Sequence, residues 1–134
     1  MSVKLPQKKA DQAVAYLIET YQPEAILLYG SRAKDTATPK SDIDLAILLG
    51  RQQRPDAMAL AASRTELEHI LGSDVDLIVL DHASPILAMQ ILRNHQVLYQ
   101  NDSEAMTRYT MKKTGEYFDL KYSRRFIEQQ LLAS

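Results

Sequence analysis

Apolar and polar positions follow two periods along this chain, and each predicts a different element. Ala10, Ala13, Val14, Leu17, Ile18 and Tyr21 recur at helical spacing, with Lys9, Gln12 and Glu19 on other faces. This predicts an amphipathic helix that packs on a sheet and ends near Pro23. Ala25 to Tyr29 is apolar without interruption, as in a buried strand. Gly30-Ser31 ends that run, and glycine there permits a sharp turn and a close approach of the backbone to a ligand. Arg32 to Ala37 has room for one helical turn before Pro39 breaks it. Asp42 to Leu48 then alternates with period two. Ile43, Leu45 and Ile47 face one way, and Asp42, Asp44 and Ala46 face the other. Both carboxylates of Asp-Ile-Asp therefore share a face, one pleat repeat apart.

The second half continues the alternation of helices and strands. Gly50 to Pro55 is a polar loop. Asp56 to Leu71 reads as a helix with Ala57, Leu60, Ala61, Leu67 and Leu71 inward, closed by Gly72-Ser73. Val75 to Leu80 is a third strand, apolar apart from Asp76. Ser84-Pro85 supplies an N-cap and a first-turn proline for a helix over Ile86 to Arg93. Gln96 to Tyr99 is a brief fourth strand. From Asp102 the pattern is helical to the end, with two apolar lines. Tyr117, Leu120, Ile127 and Leu131 form one, and Phe118, Tyr122 and Phe126 form the other. That much apolar girth exceeds the needs of one small core and points to a partner surface. The alternative is that the aromatic line is ordinary core.

Composition narrows the field without naming a function. The chain has 134 residues, a hydrophobic fraction of 46% and a charged fraction of 25%, which suits one soluble domain. We take 1–134 as a single domain, with a core at about 7–100 and a helical partner-binding segment at about 102–134. The net charge of −1 offers no general basic field, so direct nucleic-acid binding is not expected. No cysteine is present, which removes disulfides and thiolate metal sites and fits a cytoplasmic protein. The N-terminus has no apolar h-region, and no apolar run reaches the ~20 residues that span a bilayer, so no membrane association is expected. Lys112, Lys113, Lys121, Arg124 and Arg125 form a basic run on the last helix, read as a solvated face that also suits an acidic patch or bound RNA of a partner.

The candidate chemistry sits on strands. Asp42, Asp44 and Asp76 each interrupt apolar surroundings. Carboxylates crowded together repel, and burying them unpaired costs several kcal/mol. A pair of Mg²⁺ ions offsets that cost through oxygen ligation, and two metals roughly 4 Å apart clamp an in-line phosphoryl displacement. Gly30 and Ser31 supply turn N–H groups and a small hydroxyl for phosphates. Asp74 competes with Asp76 for the third position, but Asp76 has apolar residues on both sides, whereas Asp74 belongs to the turn after Gly72-Ser73. Arg32 and Lys40 flank the loop, as phosphate contacts or solvated charges. Ser41 bonds locally or orients Asp42. His69, His82 and His95 lack ligand spacing, which argues against zinc. His82, just past the third strand, is within possible reach of the site edge but reads first as a loop residue.

Gly30-Ser31, ten intervening residues and Asp42-Ile-Asp44 resemble the GSx10DxD signature of the polymerase-beta-like nucleotidyltransferase superfamily. Within it, LYGSRAKDTATPKSDIDLAIL and the C-terminal YFDLKYSRRFIEQQLL resemble the minimal nucleotidyltransferase (MNT) antitoxins paired with HEPN-domain toxins. The resemblance implies an α/β (α+β) fold: a small mixed sheet of about four strands, flanked by helices, with a C-terminal helix. It implies transfer of AMP from ATP to a tyrosine hydroxyl of a HEPN RNase toxin, which silences the toxin. Gly30, Ser31 and Arg32 then hold the nucleotide. Asp42, Asp44 and Asp76 bind two Mg²⁺ ions, and Asp76 takes the acceptor proton. The toxin docks on the C-terminal helix through Phe118, Tyr122 and Phe126, in a hetero-oligomer. Two alternatives remain: neutralisation by non-catalytic binding, and nucleotidyl transfer to a small molecule such as an aminoglycoside.

Overall fold

A computed structural model of the protein describes residues 5–30, 42–50 and 53–133. In chain order the elements are helix α1 (Gln7–Tyr21), strand β1 (Ala25–Tyr29), strand β2 (Ile43–Leu48), helix α2 (Ala57–Leu71), strand β3 (Val75–Val79), a 3₁₀ turn (Leu80–His82), helix α3 (Pro85–Arg93), strand β4 (His95–Gln100) and helix α4 (Ala105–Ala133). The four strands form one mixed sheet, as expected, and their order is β3-β2-β1-β4. β1 is antiparallel to both β2 and β4, and β2 is parallel to β3.

Each sheet face buries its own set of alternating residues. Ile26, Leu28, Ile43, Leu45, Ile47, Val75, Leu77 and Val79 pack against Ala13, Leu17 and Tyr21 of α1 and Leu67 and Leu71 of α2. Ala25, Leu27, Ala46 and Leu48 pack on the other face with Ala88 and Ile91 of α3 and Met106 and Tyr109 of α4. The period-two split predicted for β2 is thus the split between the two layers.

The helix ends follow their local chemistry. α1 ends at Gln22, whose left-handed conformation (φ 51°) returns its N–H to Ile18 O just before Pro23. Asp56 caps α2 by accepting from Ala59 N at 2.7 Å, and Gly72 (φ +70°) closes it. Ser84 caps α3 by accepting from Leu87 N at 3.1 Å, with Pro85 in the first turn.

Several boundaries and burials differ from expectation. β4 takes in His95 and Gln100. β2 begins at Ile43, so Asp42 stands just ahead of the strand. β3 stops at Val79 because Leu80 O accepts from Ala83 N (3.1 Å) and from the Tyr109 hydroxyl (2.8 Å), which draws it out of the ladder. Ala57 is exposed rather than inward. Ser63 is buried instead, paired with the Tyr21 hydroxyl and with that of Tyr16 at 3.3 Å. Lys113 does not belong to the solvated basic face. It is 6% exposed, with Nζ donating to Ala83 O at 2.9 Å and paired with Glu116 at 3.1 Å.

α4 spans 29 residues, about 43 Å at the usual helical rise. Ala105, Met106, Tyr109 and Lys113 are its buried residues. Beyond them Phe118 (55% exposed), Tyr122 (77%) and Phe126 (62%) are bare, so the aromatic line is not core. The expected helical turn over Arg32 to Ala37 lies outside the described residues. No described helix is long and apolar enough to cross a membrane.

Candidate active site

Strand direction gathers the candidate residues at one end of the sheet. β1 runs toward Tyr29 and Gly30, and the antiparallel β2 begins beside them. β3 is parallel to β2, so it too begins at this end. The register then sets one row across all four strands: His95 of β4 beside Tyr29 of β1, Tyr29 beside Asp44 of β2, and Asp44 beside Asp76 of β3. The strand pairing thus places Asp76, rather than Asp74, next to Asp44. Asp74 lies in the turn before β3, where its carbonyl accepts from Ile43 N at 2.9 Å. Asp42 is exposed, two residues before Asp44.

Gly30 closes tightly over this row. Its φ of +76° is a left-handed conformation that other residues rarely hold. A Cβ on Gly30 would overlap Oδ2 of Asp44 and lie 3.3 Å from its Cγ. Glycine is therefore required twice, for the turn and for the space that the carboxylate fills. Beside it opens a cavity of about 200 Å³ lined by Tyr29, Gly30, Leu87, Gln90, Ile91 and Asn94.

The electrostatics of the row favour an added positive charge. Partial burial, then the charges of Asp76 and Asp42, hold the Asp44 carboxyl above its ordinary range. Burial, then Asp76 and Asp44, push the Tyr29 hydroxyl well above the usual phenol value, so it stays a donor. That hydroxyl reaches across β2 to Oδ2 of Asp76 at 3.4 Å. Nothing in the residue order singles out Tyr29, because its neighbours exist only once β1, β2 and β3 are in register.

His95 does join the row, although its spacing in the chain offered no ligand pattern. Its Nδ1 is bonded to Leu92 O at 2.8 Å. His82 lies in the 3₁₀ turn after β3, at the opposite end of the sheet, so it does not reach the site edge. Ser31, Arg32, Lys40 and Ser41 lie outside the described residues. Among the described residues no three acidic or imidazole groups already form a metal cluster.

Comparison with known proteins extends this picture. The polymerase beta nucleotidyltransferase family matches residues 11–104. The protein adenylyltransferase MntA of Shewanella oneidensis is 31% identical over 113 residues, covering 83% of this chain and 78% of that protein. The crystal structure of a toxin–antitoxin with AMP-PNP superposes with a TM-score of 0.76 at 27% identity, over 91% of this chain and 98% of that chain. A tri-AMPylated Shewanella oneidensis HEPN toxin in complex with MNT antitoxin supplies a further match, at TM-score 0.75 and 24% identity over 94% of this chain and 98% of that chain, which speaks for the fold. A Gly30 turn pressed on Asp44, with Asp76 alongside, lies within the matched span, and the chain belongs to the polymerase beta nucleotidyltransferase family.

Proposed function

We propose that this protein is an antitoxin that transfers AMP from ATP to a tyrosine hydroxyl of a cognate HEPN toxin. The observation that carries the reading is the placement of Asp44 beside Asp76 under the Gly30 turn. Similarity to the MntA adenylyltransferase supports the choice of nucleotide and acceptor.

The donor set fits Mg²⁺. Asp44 and Asp76 are hard oxygen ligands side by side, and partial burial, then the charges of Asp76 and Asp42, already disfavour the ionised Asp44 carboxylate. Mg²⁺ usually binds through one or two carboxylates together with substrate phosphates, so a preformed three-carboxylate cage is not needed. Asp42, Asp44 and Asp76 would hold two such ions. When bound, they supply charge neutralisation on the phosphates and acidify the acceptor hydroxyl. The turn at Gly30 brings backbone close to the phosphates, with Ser31 and Arg32 as further contacts. The tyrosine oxygen forms a bond to the α-phosphorus as the bond to pyrophosphate breaks. Asp76 accepts the proton released by that hydroxyl.

The exposed residues Phe118, Tyr122 and Phe126 form the toxin-docking surface in this reading. Residues 7–100 together with the buried start of α4 (Ala105, Met106, Tyr109 and Lys113) act as the catalytic core, and the exposed remainder of α4 as the docking segment. The same bare helix favours a second reading, in which covering the toxin is itself neutralising.

Incubation with ATP, Mg²⁺ and the cognate HEPN toxin of this reading is expected to add AMP to a tyrosine of that toxin, read by mass spectrometry. Asp42→Asn/Asp44→Asn should abolish the addition. No added mass with wild type would overturn the proposal. If the double variant still protects cells while Phe118→Ser/Tyr122→Ser/Phe126→Ser, three changes on the exposed part of α4, does not, binding is the dominant mode of neutralisation.

A further inference from the structure

Asp76 poses a geometric problem that the row itself resolves. It lies on β3, the last strand of the sheet, and it is exposed. An exposed carboxylate at a sheet edge samples several rotamers, whereas proton transfer and metal binding each need one. Among the described residues, the Tyr29 hydroxyl is the donor that reaches it, at 3.4 Å to Oδ2. β1 and β3 are not neighbours in the sheet, so the phenol must span β2 to make this contact. The Tyr29 ring is itself partly buried, packed on the same core cluster as Ile78 and Leu92. A packed ring therefore carries its hydroxyl to an exposed carboxylate.

We infer that Tyr29 is a positioning residue, whose hydroxyl fixes Oδ2 of Asp76 and leaves Oδ1 free for metal and acceptor. This inference rests on the nucleotidyltransferase reading of the site. Carboxylates that bind metals are commonly held by such outer hydrogen bonds, and losing one lowers metal affinity or activity by roughly 10- to 100-fold. A distance of 3.4 Å is long for an O–H···O bond, and bonds of this kind commonly tighten only when the substrate complex forms. Tyr29 also directly precedes Gly30. One residue pair thus joins the proton acceptor on β3 to the phosphate turn after β1.

The decisive variant is Tyr29→Phe, which removes the hydroxyl and keeps the packed ring. Mn²⁺ binding to the free protein, followed by electron paramagnetic resonance, reads the site without turnover. We expect Mn²⁺ affinity to fall by roughly tenfold or more, within the range for outer-shell partners. In AMP transfer, kcat should fall while KM for the toxin stays the same. In an Asp76→Asn background the same change should have no further effect on Mn²⁺ binding, because the coupling runs through that carboxylate. Equal Mn²⁺ affinity and equal kcat in Tyr29→Phe and wild type would overturn the inference. So would a loss of the same size in the Asp76→Asn background, which marks a purely structural role. The proposed function fails separately: wild type that binds Mn²⁺ but transfers no AMP refutes the reaction, and the binding comparison still decides the positioning role. Wild type that binds no Mn²⁺ overturns both.

Discussion

The two ends of the β2–β3 pair treat aspartate in opposite ways. At the far end, Asp81 follows β3 and accepts from Leu49 N and Gly50 N, each at 2.8 Å. Both of its oxygens are engaged, and the bonds lock the exit of β2 to the turn after β3. At the near end, Asp44 and Asp76 stand side by side. Among the described residues no backbone N–H serves either side chain. A carboxylate that holds a fold together is surrounded by donors. A carboxylate held by the fold against a second one keeps its lone pairs for something that arrives later. The contrast therefore separates a structural acid from candidate ligands without reference to any relative.

The strongest way to break the near end is to fill its space. Gly30→Ala would press a methyl into Asp44 and force a left-handed alanine. Strain of about 1–3 kcal/mol directed at the site corresponds to a roughly 5- to 150-fold loss of AMP transfer. Steady-state kinetics on the toxin would measure it, and wild-type kcat/KM would refute the close approach.

The far end should respond in stability instead. Asp81→Ala strands two partly buried N–H groups, and an expected destabilisation of roughly 1–3 kcal/mol should appear in urea unfolding. Below the transition, KM for ATP should be unchanged.

The smallest effect is also the most diagnostic of sign. Because the folded carboxyl of Asp44 lies above its unfolded value, ionisation favours the unfolded chain. The contribution of Asp44 to stability in chelator should therefore be fully present below the unfolded pKa and be lost as pH rises through the raised folded value. Asp44→Asn should flatten that part of the profile. Thermal melts at acidic and neutral pH, with and without Mg²⁺, check both the slope and the loss of metal stabilisation. A variant less stable than wild type in chelator at neutral pH would contradict the repulsion.

Much of this architecture was legible in residue order. The period-two run over Ile43 to Leu48 predicted which side chains share a face, and so which layer each one enters, because alternation alone decides it. Ser84-Pro85 and Gly72 marked helix ends by local chemistry. Relations across strands were not legible. Tyr29 and His95 join Asp44 and Asp76 only through pairing register, which depends on contacts far apart in sequence. Lys113 looked like one more solvated cation, but Ala83 O and Glu116 draw it inward. Nothing near Asp81 in the chain marks its role, because its partners lie more than thirty residues upstream. Ala57 shows the limit of counting apolar positions: Ser63 is buried on that helix because two tyrosine hydroxyls accommodate it.

One helix, α4, carries two different degrees of protection. Through Lys113 its side chains are tied to the 3₁₀ turn and the second core layer, so opening this part means opening the body. Past Gly115 the helix has little buried surface, and its residues are held mainly by backbone hydrogen bonds and intrinsic preference. Fraying there is a local event with a small free energy, and amides in this stretch exchange with solvent long before those near Tyr109. A partner that covers this stretch would therefore confer on the outer half of α4 the protection that the inner half already has, and would turn a fraying end into part of a common fold.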